Sequence, residues 1–188
     1  MSNFVEIVIL CEDRQQEVFA RHFLVSCGVN PHRIRVNICP KGELAGEQYV
    51  REAYPKEAKA YRSRSAYLNI SLIVLTDADM KTVSERWKEL EKVLGNGGQA
   101  RRKAAERIAI FIPKRNVETW IHYLMGELVN ETDAYPKLSA ESDCKVFVAR
   151  VAAKPEYRLT SDVPPSLRLA CSELTRIFPT KRCVELAD

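Results

Sequence analysis

Residues 70–79, ISLIVLTDAD, decide the fold. An uncharged run rich in β-branched side chains is the composition of a strand buried on both faces of a parallel sheet. It ends abruptly on Asp77 and Asp79. The start of the chain repeats the arrangement, with FVEIVILC (residues 4–11) ending on Glu12 and Asp13.

Each of these strands leads into helical spacing. After the first, Val18, Phe19, Phe23 and Leu24 recur at helix intervals, and Gly28 is placed to end the helix. After residues 70–79, Trp87, Leu90 and Leu94 share one face, and Gly95-Asn96-Gly97-Gly98 closes that helix. RIRVNI (33–38) alternates polar and apolar residues as an edge strand does, and RIAIFI (107–112) makes a fourth strand. Residues 47–64 form a helix that Pro55 is expected to interrupt or kink. An apolar helix containing Trp120, Ile121 and Leu124 follows the fourth strand.

The strand-then-helix rhythm predicts an α/β fold with a parallel sheet covered by helices on both faces. Beyond Gly126 the periodicity weakens. Residues 146–151 and the amphipathic stretch after Pro164-Pro165 mark residues 126–188 as a helical C-terminal extension, packed on a unit of residues 1–125.

With 46% hydrophobic and 29% charged residues and no low-complexity tract, the chain has the composition of a folded globular protein. No run reaches membrane-spanning length, and no signal-peptide pattern opens the chain, so no membrane partner and a cytoplasmic location are expected. The six cysteines are scattered singly, without the close pairs of a structural zinc or redox motif, and are expected to remain thiols. A net charge of only +4 permits a polyanionic partner without requiring one.

In open α/β sheets ligands bind beyond the carboxyl ends of the strands, which is where Glu12 and Asp77 fall. Asp79, two residues on, projects to the same side as Asp77 in an extended strand end and could share one cation with it; it is equally placed to cap a helix. Oxygen donors without a Cys/His cluster suit Mg²⁺, with Mn²⁺ as a substitute. Lys114 and Arg115 follow the fourth strand and would face the same site, where they could stabilise charge on a phosphate. Asn116 and Glu118 open the next helix, with Asn116 as a possible cap. Basic residues at Lys41, Arg62, Arg64, Arg101, Arg102 and Arg115 are the expected contacts to nucleic acid, provided they converge on one face. Solvated helix faces are the other reading of the same charges. His122 reads as a packed or half-exposed helix residue, and no P-loop pattern is present.

The segments VILCE (8–12), LIVLTDAD (72–79) and FIPKRNVE (111–118) together resemble the Toprim family, in particular its nuclease-like OLD-type branch. The likeness spans residues 4 to 125. One departure is Asp13, which stands where the family's glutamate is followed by glycine. The resemblance implies a four-stranded parallel sheet and a Mg²⁺-dependent nuclease acting on DNA or RNA. Glu12 would then be the general acid/base, Asp77 and Asp79 metal ligands, and Glu118 a ligand of a second metal. The expected catalytic set is Glu12, Lys114 and Glu118; the metal set is Glu12, Asp77, Asp79 and Glu118. The branch further implies an antiviral-defence effector regulated by a separate ATPase subunit. The alternatives are a receiver-like signalling domain phosphorylated on Asp77, with Glu12/Asp13 and Lys114 beside it, and a non-catalytic binding subunit on the same scaffold.

Overall fold

The computed structural model describes residues 5–153, 156–159, 161–180 and 182–185. In chain order these form β1 (Glu6–Cys11), α1 (Arg14–Ser26), β2 (Ile34–Ile38), α2 (Gly46–Arg64), β3 (Ile70–Leu75), α3 (Val83–Asn96) and β4 (Ile108–Phe111). Then come α4 (Val117–Met125), α5 (Lys145–Ala152), β5 (Glu156–Leu159), α6 (Pro165–Leu174) and β6 (Arg182–Glu185). The expected α/β architecture is present. Four strands pair all-parallel in the order β2-β1-β3-β4, with Ile9 of β1 opposite Val36 on one side and Ile73 on the other.

Side-chain alternation along a strand explains why the central strands are apolar throughout. Ile7, Ile9 and Cys11 of β1 face one layer, with Val18 and Leu24 of α1, Trp120 and Ile121 of α4, and Val148 and Leu167 from the C-terminal region. Val8 and Leu10 face the other, with Val50, Tyr54 and Ala58 of α2 and Leu90 and Leu94 of α3. Residues beyond 125 therefore pack into the same core layer as α1 and α4. Trp120 ties them in, its Nε1 donating to Ser166 Oγ at 2.8 Å.

Three expectations need correction. Of the two effects expected of Pro55 an interruption is absent, since the helix runs unbroken over 46–64, and the carbonyl of Pro55 itself accepts from Gln99 Nε2 at 2.7 Å. The C-terminal region is not wholly helical, because β5 and β6 pair in parallel as a small second sheet. Cys11, Cys39 and Cys144 are thiols, but Cys171 is disulfide-bonded, so the cysteines do not all remain reduced.

β4 is an edge strand whose outer backbone groups are engaged by side chains. Arg102 Nη1 donates to the Ile108 carbonyl at 2.6 Å, and the Ile110 N–H donates to Glu173 Oε2 at 3.0 Å. Arg102 and Glu173 also pair with each other, and the Arg102 guanidinium lies over the Trp87 ring at 4.7 Å.

Candidate active site

After β1 the chain crosses to β2 on one side of the sheet, whereas β3 lies on the other, so the gap between the ends of β1 and β3 is the topological switch point. Glu12 closes β1 and Asp77 follows β3, and the two meet across it. Glu12 Oε1 accepts from the Asp77 N–H at 2.7 Å and from the Thr76 hydroxyl. The other side of Glu12 is crowded by the start of α2: a Cβ on Gly46 would stand 2.7 Å from Glu12 Cβ and 3.1 Å from Oε2. Glycine at this position is what lets the helix approach the carboxylate.

The loop carrying Asp77 is held on several sides. Ala78 N–H donates to the Pro113 carbonyl at 2.8 Å, and the Asp77 carbonyl accepts from Arg86 Nε at 2.9 Å. Arg86, 3% exposed, also reaches Glu47 and Glu89, and sits 3.4 Å from Asp79 Oδ2. Asp79 has a φ of +55°, a left-handed conformation that Asp tolerates better than most residues. It does not cap α3. Thr82 does, in a reciprocal capping box with Glu85.

Asp13 caps α1 by accepting from the Gln16 N–H at 2.9 Å. Asn116 stands at the N-cap position of α4 without bonding its backbone donors; its Oδ1 accepts from Thr119 Oγ1 and its Nδ2 donates to the Tyr135 carbonyl. Glu118 in the first turn of α4 is 2% exposed, and its Oε1 has no hydrogen-bond partner.

Burial decides the electrostatics here. It pushes Glu12 up to about 7, against the hydrogen bonds from Thr76 and Asp77 that favour the charged form. Asp77 is raised well above the carboxylate range by burial first, then by Glu12, Glu118, Asp13 and Asp79 in turn. Burial likewise raises Glu118, and it raises Asp79 although Arg86 opposes it. Asp77 thus sits among four other acids.

Hard oxygen donors of this kind fit Mg²⁺ or Mn²⁺, and the orphaned Glu118 oxygen is an acceptor with nothing to accept from. Among the described residues, however, no three His, Cys, Asp or Glu side chains are gathered so as to hold a metal ion as they stand. Mg²⁺ commonly takes only one or two carboxylates and completes its shell with water and phosphate oxygens, so the Glu12–Asp77 pair meets that lesser requirement.

The basic residues divide. Arg115 is at the site, its Nη1 3.3 Å from the Asp79 carbonyl and its Nε buried without a partner. Lys114 follows β4 at the same end, and its backbone N–H donates to Ser166 Oγ at 3.3 Å. Lys41 is exposed in the loop before α2. Arg62 and Arg64 lie at the far end of α2, about 27 Å of helix away from Gly46. There Arg62 is bonded to Glu106 and Arg64 to Glu6. Arg102 is committed to Glu173 and β4, and Arg101 is exposed in the loop after α3. Arg62, Arg64 and Arg102 are thus engaged away from the acids, whereas the Lys41 loop leaves the carboxyl end of β2 and enters α2 beside Glu12.

Sequence reasoning missed Gln16, Thr76 and Arg86. Thr76 was visible as the residue before Asp77, and Gln16 stands three residues after the Asp13 cap, the capping-box spacing. Nothing in the sequence marked Arg86 as buried. No known protein family, curated protein or solved structure matches the chain.

Proposed function

We propose that the chain is a Mg²⁺- or Mn²⁺-dependent nuclease of the Toprim type, cleaving phosphodiester bonds of DNA or RNA at the end of the β1–β3 gap. The observation carrying this reading is Asp77: a buried carboxylate at the switch point, raised by burial and by four neighbouring acids. Such a cluster destabilises a fold unless it is protonated or neutralised by a cation, and it has no structural return.

A divalent cation would be held by Glu12 and Asp77, with Asp79 and Glu118 as neighbouring acids whose charge acts on that pair, and it would supply charge neutralisation of the phosphate. The chain's own residues do the rest. With no cation bound Glu12 stands near 7, and its Oε1 is taken by Thr76 and the Asp77 N–H, which leaves Oε2 as the oxygen to carry a proton to or from the reacting group. Arg115 and Lys114 stand where they would meet the phosphate's negative charge. A cytoplasmic setting and regulation by an ATPase subunit go with this reading.

The receiver-like alternative requires Asp77 to accept a phosphoryl group, and Asp77 is buried with Oδ1 already engaged by Gln16. The test is cleavage of plasmid, single-stranded DNA and RNA in Mg²⁺ or Mn²⁺ against EDTA, with the isosteric Asp77→Asn protein as control. Metal-dependent cleavage lost in Asp77→Asn is expected. Equal cleavage by both proteins would sink the proposal.

A further inference from the structure

One fully buried polar side chain touches both halves of the acid site. Gln16, in the first turn of α1, is 0% exposed. Its Oε1 accepts from the Glu12 N–H at 3.0 Å, and its Nε2 donates to Asp77 Oδ1 at 2.9 Å. The amide can sit only this way round. A backbone N–H can only donate, so Oε1 must face Glu12, which leaves the NH₂ group for Asp77. Its backbone is fixed as well, because the Gln16 N–H is held by the Asp13 cap.

We propose that Gln16 is a positioning residue of this site. By joining the backbone end of β1 to the carboxylate that follows β3, it sets both the spacing of the two strand ends and the direction of Asp77. It acts through Asp77, not on substrate. This rests on the reading of Glu12 and Asp77 as a cation site, where partners that orient a ligating carboxylate matter nearly as much as the ligand itself.

The experiment is a Mn²⁺ titration followed by the electron paramagnetic resonance of the free ion, with thermal unfolding of the metal-free protein alongside. Gln16→Met keeps the volume and removes both bonds; it should weaken Mn²⁺ binding about 10- to 100-fold. Leu24→Ala loosens the same helix from its fully buried side without touching the site. It should lower the melting temperature and leave Mn²⁺ affinity unchanged. Should Gln16→Met fail to fold, Gln16→Asn retains the amide but is one methylene too short to span both partners, and should weaken binding in the same direction. Wild-type affinity in the Gln16 variants, or an equal loss in Leu24→Ala, would overturn the positioning role. A wild-type protein that binds no Mn²⁺ would overturn the cation site itself, and this role with it.

Discussion

The two ends of the sheet treat the same residue types in opposite ways. At the amino ends of the strands every named acid has a cationic partner: Glu6 lies between Arg64 and Arg33, and Glu106 is paired with Arg62. At the carboxyl ends Asp79 keeps a cation, Arg86, at 3.4 Å, but Glu12 is bonded by a threonine hydroxyl and a backbone N–H, Asp77 by a glutamine amide, and Glu118 has an oxygen with no partner. Charge that is matched and half exposed belongs to the architecture. Burial without a matching cation is the arrangement from which the proposed cation site is read.

The largest effect should come from Glu12→Gln, which keeps the shape and the acceptor oxygen but cannot exchange a proton. Cleavage should fall by about 10²- to 10⁴-fold. Stability should move the other way. Between about pH 4.5 and about 7 the folded protein keeps a proton on Glu12 that the unfolded chain has released, so the metal-free fold loses stability as pH rises through that window. A shift of this size corresponds to about 3 kcal/mol. Glu12→Gln should therefore melt higher than wild type at pH 8 and converge with it near pH 4.5. A variant that melts lower at pH 8 would erase the contrast between the two ends.

A smaller effect is expected from Gly46→Ala. The new methyl meets Glu12 Cβ at 2.7 Å, an atom that no side-chain rotation can move. Overpacking of this kind costs about 1–3 kcal/mol, more than the ~1 kcal/mol that alanine returns as a helix former. Urea unfolding should show a net loss, with slower cleavage. An unchanged or more stable protein would mean that α2 does not press on Glu12.

The smallest effect should be that of Arg64→Met at the matched end. Removing this half-exposed pair should cost no more than about 1 kcal/mol and leave cleavage and Mn²⁺ affinity untouched. Weakened nucleic-acid binding in this variant would return the far end of α2 to the interface.

Much of this was legible before any coordinates. β1, β3 and β4 announced themselves as apolar runs and β2 by the polar/apolar alternation of an edge strand, and the acids stood out as the point where the apolar runs of β1 and β3 stop. Asp77 and Glu12 were found on that ground alone. The paired state of Arg62, Arg64 and Arg102 was not legible, since their partners Glu106, Glu6 and Glu173 lie 44, 58 and 71 positions away. Nor were β5 and β6: EYRL and RCVE are four-residue segments of mixed polarity, whose pairing depends on a distant partner rather than on local pattern. The Thr82–Glu85 capping box was in plain view and would have removed Asp79 from consideration as a cap.

The seal on β4 bears on where this protein can be truncated. A row of open hydrogen-bonding groups along a sheet edge is a template on which another chain can grow. Glu173 of α6 and its partner Arg102 occupy those groups, so the C-terminal region serves the sheet as a chaperone built into the chain. A fragment ending at residue 125 would keep all the acids but lose this guard together with Val148, Leu167 and Ser166, which complete the core layer over α1 and α4, so it would expose the β4 edge and an apolar face at once.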